Sequence, residues 1–215
     1  MNSWDGASKI YHWLLSFAIS FELFSSTLMS DVSTNSAFPA PSSVGVFDAH
    51  QIGGILCAVV LGAYLHRVRR DTRVRERLFP WLHRGGMAPV WSETRALLRG
   101  RLPPAGAAAG LPGFVHGLGV LIMIGMALTG VLNILLRPGV TIPFSFGFAP
   151  TFFIYSVESV VHNAISVMAW AYWIGHVAFA VIHEAAGQGV IRGMFLPAET
   201  PRAEAGDTSL REPMQ

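Results

Sequence analysis

Four long apolar tracts alternate with more polar stretches along the chain. They run over about residues 10–29, 46–66, 114–136 and 160–182, and each is long enough, at about 20 residues, to cross the ~30 Å hydrocarbon core of a membrane as a helix. In lipid the backbone must satisfy its hydrogen bonds within each segment, and no tract alternates with a period of two. A signal peptide would have a shorter apolar core, so the first tract is interpreted as a retained span. The pattern therefore predicts four membrane-spanning helices.

Composition agrees with a membrane protein. Of the 215 residues, 52% are hydrophobic and only 13% are charged, whereas a soluble domain has about 25% charged residues. The single cysteine, Cys57, excludes an internal disulfide and a four-thiolate metal site. The chain has no Cys-x-x-Cys-His motif, so a haem attached covalently in the c-type manner is excluded as well.

The charged residues predict an orientation. Residues 67–111, called here the Arg-rich segment, contain ten Arg against three acidic residues. The positive-inside rule places this segment in the cytoplasm, and four spans then place both termini there. The expected fold is an all-α integral membrane four-helix bundle over residues 1–197, followed by a disordered cytoplasmic tail over residues 198–215.

The Arg-rich segment has two interpretations. It is either a loop that sets the topology beside the membrane lipids, or a docking site for a protein partner. Its aromatic residues lack the context of a nucleic-acid-binding module, so no nucleic-acid partner is expected.

Eight histidines are the main candidates for chemistry. Only one of them, His83, lies inside the Arg-rich segment away from the spans. The other seven lie within or at the ends of the predicted spans: His12, His50, His66, His116, His162, His176 and His183. Ionisable groups in a membrane are costly, which makes them functional candidates. Neutral imidazole is also the usual axial ligand of b-type haem iron.

Spacing sorts these histidines by depth. His176 follows His162 by 14 residues, which is about 21 Å along a helix and about 40° short of four full turns. The two imidazoles should therefore point to one side of the helix at two depths, as two stacked haems require. By depth, His50 matches His162. Both His12 and His116 match His176, and depth alone does not choose between them.

The remaining polar residues have less specific interpretations. His66 falls on the face opposite His50 and is expected at the interface, and His83 is expected in solvent. His183, beside Glu184, is either a quinone contact or a polar helix end. Arg67 is a candidate contact for a quinone or a haem propionate, and Glu22 is a rival proton-handling group near mid-membrane.

Ordered motifs on all four tracts resemble the bacterial di-haem cytochrome b561 family, whose four-helix b-type cytochromes are related to the cytochrome b subunits of membrane oxidoreductases. The resemblance covers roughly residues 8–197. The motifs are Lys9-Ile10-Tyr11-His12-Trp13-Leu14, Asp48-Ala49-His50-Gln51-Ile52-Gly53, His116 with Leu128-Thr129-Gly130, His162-Asn163, Gly175-His176, His183 and Gly193-Met194-Phe195-Leu196-Pro197.

The resemblance implies two non-covalent, bis-histidine haem b groups. Their axial ligands would be His12 with His176 on the cytoplasmic side and His50 with His162 on the periplasmic side. The implied protein is a multi-pass protein of the bacterial inner membrane that exchanges electrons between the quinone pool and a redox partner.

Three functions compete at this stage. The first is a free-standing di-haem electron carrier or quinone-linked oxidoreductase, and the second is the haem b anchor subunit of a larger redox complex. The third is a non-redox transporter or scaffold, although the internal repeats and broken spans typical of transporters are not found. The bundle is expected as a homodimer or within a complex, and its protein partner would dock on the cytoplasmic Arg-rich segment or on the periplasmic face.

Overall fold

The computed structural model describes residues 5–29, 44–103, 110–137 and 152–195. Every regular element within these ranges is helical. The seven α-helices are α1 (Gly6–Leu28), α2 (Val44–Arg70), α3 (Thr72–Leu78), α4 (Met87–Leu98), α5 (Leu111–Leu136), α6 (Phe152–Ala185) and α7 (Val190–Phe195). The tail that the sequence predicts at 198–215 lies outside the described residues.

The four predicted tracts correspond to the four long helices α1, α2, α5 and α6. Three helices of the described ranges are long and apolar enough to cross a membrane, namely Val44–Arg70, Leu111–Leu136 and Phe153–Ala185. Helix α1 has 23 residues but is not among them, because polar side chains such as Glu22 and His12 interrupt its apolar sequence. The all-helical class is thus confirmed over the described residues, and a membrane span for α1 stays a prediction.

The start of α1 is fixed by a cap that also ties it to α2. The Oδ1 atom of Asp5 accepts a hydrogen bond of 2.9 Å from the backbone N–H of Ser8, as an N-cap residue does. The same oxygen accepts a 2.8 Å hydrogen bond from the Arg67 guanidinium, near the end of α2. Partial burial raises the pKa of Asp5, but the hydrogen bonds from Ser8 and the charge of Arg67 outweigh it and lower that pKa to about 2. The cap therefore stays charged and holds the two helix ends together.

The long helices pack in pairs. Helix α1 lies along α2, α5 lies along α6, and α2 also contacts α5. Helix α1 reaches α6 through side chains, among them the Trp173 indole, which donates a 3.0 Å hydrogen bond to the Ser20 hydroxyl. One residue from each long helix forms the buried core: Leu23, Leu61, Met123 and Ala169.

The outward faces of the long helices are apolar. Large side chains there are mostly exposed, including Phe17 at 70%, Val59 at 65% and Val167 at 68%. Continuous exposed apolar surface of this kind is typical of a protein that contacts lipid.

The Arg-rich segment folds into short helices, which the sequence-based prediction of a loop did not include. The Asp71 carboxylate caps α3 by accepting hydrogen bonds of 3.0 Å and 3.2 Å from the backbone of Arg73 and Val74. The end of α3 then packs against the first turns of α5. A Cβ on Gly117 would overlap the carbonyl oxygen of Leu78 and would lie 2.8 Å from its carbonyl carbon. Glycine at this position therefore allows the segment to approach α5 closely.

This contact makes Gly117→Ala a specific test of the fold. The added methyl group meets backbone, which cannot move aside as a flexible side chain would, so we expect a loss of about 1–3 kcal/mol in the free energy of unfolding. The matched control is Gly62→Ala on α2, where no described atom lies within 4 Å of the added Cβ. Because alanine favours helix by about 0.8–1 kcal/mol over glycine, the control should be neutral or stabilising.

Thermal unfolding of both variants in the same detergent measures the difference. Equal stability of the two variants would contradict the close approach of α3 to α5.

Candidate functional site

One stripe of α6 faces the other long helices and carries three of the histidines. Residues at seven-residue intervals lie on nearly the same side of a helix, since each step falls about 20° short of two turns. The exposed fraction along this stripe is 4% at Tyr155, 1% at Ala169 and 8% at His183. His162 and His176 occupy the two positions between these residues. The stripe therefore places His162, His176 and His183 at three depths on the inner side of α6.

The first cluster, called here the His176 cluster, joins three helices. The ring centroids of His12 on α1 and His176 on α6 lie 6.0 Å apart. The ring of His116 on α5 lies 5.0 Å from that of His176 in a T-shaped arrangement, and its Nδ1 is 2.6 Å from the Pro112 carbonyl oxygen. Tyr172 stacks on His176 with centroids 5.6 Å apart.

The two rivals for His176 lie at different distances from it. Two imidazoles that shared one metal ion would have ring centroids about 6 Å apart, because a metal–nitrogen bond is about 2 Å long and the centre of an imidazole lies roughly 1 Å beyond its nitrogen. The centroids of His12 and His176 are 6.0 Å apart, and those of His116 and His176 are 5.0 Å apart.

The surroundings of His12 and His176 also fit a bound porphyrin. The Nδ1 atom of His12 is buried without a hydrogen-bond partner among the described residues. No described atom lies within 4 Å of a Cβ built on Gly175, which precedes His176. The backbone is therefore open to close approach next to the imidazole.

The second cluster, called here the His162 cluster, lies toward the other end of α6. The Nδ1 atom of His162 is 2.7 Å from the Thr129 hydroxyl on α5. The Nδ1 atom of His50 on α2 is 2.9 Å from the Ser25 hydroxyl on α1, and the two imidazoles are close enough to interact electrostatically. A histidine that binds a metal usually donates its other ring N–H to a neighbour, and the Nδ1 atom of each ring here has such a neighbour.

Glu22 belongs to this second cluster, which the sequence did not indicate. Its Oε2 atom is 3.2 Å from Nδ1 of His50. Glu22 lies six residues before the last residue of α1, and its predicted place near mid-membrane stays a prediction. Glu22 was unusual in the sequence because it is an acidic residue inside an apolar tract. Its partner on α2, His50, appears only in the folded chain.

The two remaining predicted site residues have protein partners. The Arg67 guanidinium pairs with Asp5 and donates to the Ser8 hydroxyl at 3.4 Å, while its Nε atom is buried without a partner in the described ranges. The Nδ1 atom of His183 is 3.0 Å from the Gln188 side-chain oxygen. Glu184, next to it, accepts a 2.9 Å hydrogen bond from the backbone N–H of Ile191 at the start of α7.

The other two histidines lie at the surface. Both His66 and His83 are exposed, and the place of His66 at the membrane interface stays a prediction.

Comparison with known proteins identifies the family. The family model described as prokaryotic cytochrome b561 matches residues 3–197. No curated protein and no solved structure matches the chain. The family match confirms the resemblance seen in the histidine motifs, and with the long apolar helices it indicates a membrane protein. The chain belongs to the prokaryotic cytochrome b561 family, whose members are membrane-bound haem b proteins of electron transfer.

Proposed function

We propose that the protein carries electrons across the bacterial inner membrane through two haem b groups and exchanges them with the quinone pool. The observation that carries this proposal is the pair of histidine clusters at two depths of one helix. His162 and His176 are 14 residues apart on α6, or about 21 Å along its axis, and each has histidine from another helix beside it. Bound haem iron would supply reversible one-electron chemistry at each depth.

The proposed axial ligands are His50 with His162 and His12 with His176. In the first pair, both Nδ1 atoms have hydroxyl neighbours, which leaves each Nε2 to the iron. In the second pair, the 6.0 Å between ring centroids supports His12 as the partner of His176. His116, with its Nδ1 beside the Pro112 carbonyl oxygen, would instead support the ring of His176 from the side.

The four long helices would form a four-helix bundle that crosses the membrane. Helix α1 supports this as the fourth span because it lies along α2 and its first turn is tied to the end of α2 through Asp5 and Arg67. The cytoplasmic side would be the end that carries the Arg-rich segment, which places both termini there. His12 and His176 would then face the cytoplasm, and His50 and His162 the periplasm.

Quinone is proposed to bind at the cytoplasmic end of the bundle. His183 lies on the inner stripe of α6, seven residues beyond His176, and is only 8% exposed. Phe179 lies one turn before it, with ring centroids 6.4 Å apart. Phe179 places an apolar ring beside the polar His183, a combination that suits a quinone ring, and the His183 imidazole can donate to a quinone oxygen.

A second function is favoured by the surface of the Arg-rich segment. Trp91 and Leu98 on α4 are 60% and 83% exposed, and aromatic residues among arginines are typical of protein interfaces. The second proposed function is therefore a haem b anchor subunit, with this surface docking a redox partner. A stoichiometric redox subunit that co-purifies with the chain, and is lost in Trp91→Ala, would distinguish the anchor subunit from the free-standing carrier.

Histidine substitutions test the assigned ligands. His50→Ala or His162→Ala should remove the haem proposed for the periplasmic side and keep the other, so that haem absorbance per chain falls by half. His12→Ala or His176→Ala should have the reverse effect on the two spectral components. His66→Ala is the matched control, because His66 is exposed on the same helix as His50 and should leave both haems bound.

The low-temperature absorbance and EPR spectra of the purified variants measure which haem is lost. If His116→Ala empties the site at His176 while His12→Ala leaves it filled, the assignment of His12 is wrong.

A further substitution tests the quinone site. His183→Ala should slow haem reduction by quinol on the order of tenfold or more with both haems still bound, because the proposed donor to the quinone oxygen is lost. His83→Ala, at an exposed position in the Arg-rich segment, is the control and should reduce at the wild-type rate. Stopped-flow absorbance with a short-chain quinol measures the rate. An unchanged rate in His183→Ala would remove His183 from the site.

A further inference from the structure

Glu22 reaches the side of the His50 ring that does not face the iron proposed above. Its Oε2 atom lies 3.2 Å from Nδ1 of His50, and the two side chains are only 17% and 18% exposed. The Ser25 hydroxyl, one turn further along α1, is 2.9 Å from the same nitrogen. Two oxygen atoms from α1 therefore meet at one imidazole nitrogen on α2.

The fold makes room for this carboxylate. A Cβ on Gly53 would overlap the Oε1 atom of Glu22 and would lie 2.7 Å from the Phe21 ring. A Cβ on Gly54 would lie 3.3 Å from Oε2 of Glu22. The two glycines, one turn after His50, leave a space in which the Glu22 side chain can lie against α2.

The neighbours of Nδ1 favour one tautomer of the ring. When the Ser25 hydroxyl donates to the Glu22 carbonyl oxygen, 3.2 Å away, it accepts a hydrogen bond from the His50 ring. The ionised carboxylate of Glu22 is an acceptor too, and an N–H group at Nδ1 of His50, 3.2 Å away, stabilises that ionised form. Both neighbours thus favour the tautomer with the proton on Nδ1, which leaves the lone pair of Nε2 for a metal.

We infer that Glu22 is a positioning residue that holds the His50 ring and lowers the reduction potential of the haem bound by His50. This inference rests on the proposed function. A negative charge beside Nδ1–H makes the imidazole a stronger electron donor through Nε2, and a stronger donor stabilises iron(III) relative to iron(II). His162, the other proposed ligand of the same haem, has a neutral hydroxyl at its Nδ1. Of the two proposed ligands of this haem, only His50 therefore has a carboxylate beside its Nδ1 atom, and that carboxylate comes from α1.

Glu22→Gln tests this role because glutamine keeps the size of the side chain and removes its charge. In the purified full-length protein we expect one haem to favour the reduced state by about tenfold more than in the wild type, a rise of about 59 mV for a one-electron couple. The second haem and the number of haems per chain should be unchanged. A potentiometric titration followed by absorbance measures both haems in one experiment.

Glu158→Gln is the matched control for the removal of a nearby carboxyl group. Glu158 lies one turn before His162 on α6 and is 9% exposed, and its carboxylate oxygens are buried without a hydrogen-bond partner among the described residues. Loss of this carboxyl group removes no contact with a ligand ring, so the shift in potential should be clearly smaller than in Glu22→Gln. An equal shift in both variants would show that Glu22 acts only as a distant charge and would overturn the inference.

Gly53→Ala tests the same contact without changing any charged residue. The methyl group would displace the Glu22 carboxylate from His50, and the potential of the same haem should rise. Gly62→Ala, on the same helix but with open space around its Cβ, should have no effect.

The outcomes separate the inference from the proposed function. If Glu22→Gln retains both haems at wild-type potentials, the inference is wrong and the proposed function stands. If Glu22→Gln loses a haem, the potential of the haem at His50 is measured in Gly53→Ala instead. A wild-type potential in Gly53→Ala would likewise show that the inference is wrong. If His50→Ala retains every haem of the wild type, His50 is no ligand and the proposed function itself fails.

Discussion

The seven-residue spacing along α6 is the constraint on which the rest of the site depends. A step of seven residues returns to nearly the same side of a helix, so one inner stripe can present histidine at several depths. His162 and His176 occupy two positions of this stripe, and Ala169 between them is 1% exposed and packs in the core. Because Ala169 is small, the other long helices can pack closely against the middle of α6. The histidines lie on either side of this contact, toward the two ends of α6.

The register of α1 against α2 completes both clusters at once. Asp5 and Arg67 join the two helices at one end. With that end fixed, the rise of the helix brings His12 beside His176, and it brings Glu22 and Ser25 beside His50 at the far end. A shift of α1 by one residue would rotate its side chains by about 100° and separate both sets of contacts. The charged cap at one surface is thus coupled to the polar network near the other.

The sequence predicted the parts of this arrangement that depend on periodicity. The apolar tracts predicted the four long helices, and the spacing of His162 and His176 predicted two depths on one side. Contacts between helices could not be predicted from the sequence in the same way. The short helices α3 and α4 were missed because their arginines hide the apolar periodicity, and the close approach of α3 to α5 at Gly117 appears only in the folded chain.

Glu22 illustrates the same limit. Its charge was visible in the first tract, but its pairing with His50 depends on the rotation of α1 against α2, which hydrophobicity alone does not determine. The distances from His176 to its two rival partners, 6.0 Å for His12 and 5.0 Å for His116, likewise appear only in the folded chain, and the proposed ligand pair rests on them.

The ratio of haem to polypeptide in the purified wild-type protein tests the central claim most directly. The haem would be extracted with acid acetone and quantified as its pyridine complex, with the chain quantified by amino-acid analysis. Two histidine pairs at two depths predict two extractable b haems per chain. One haem per chain, or none, would contradict the account.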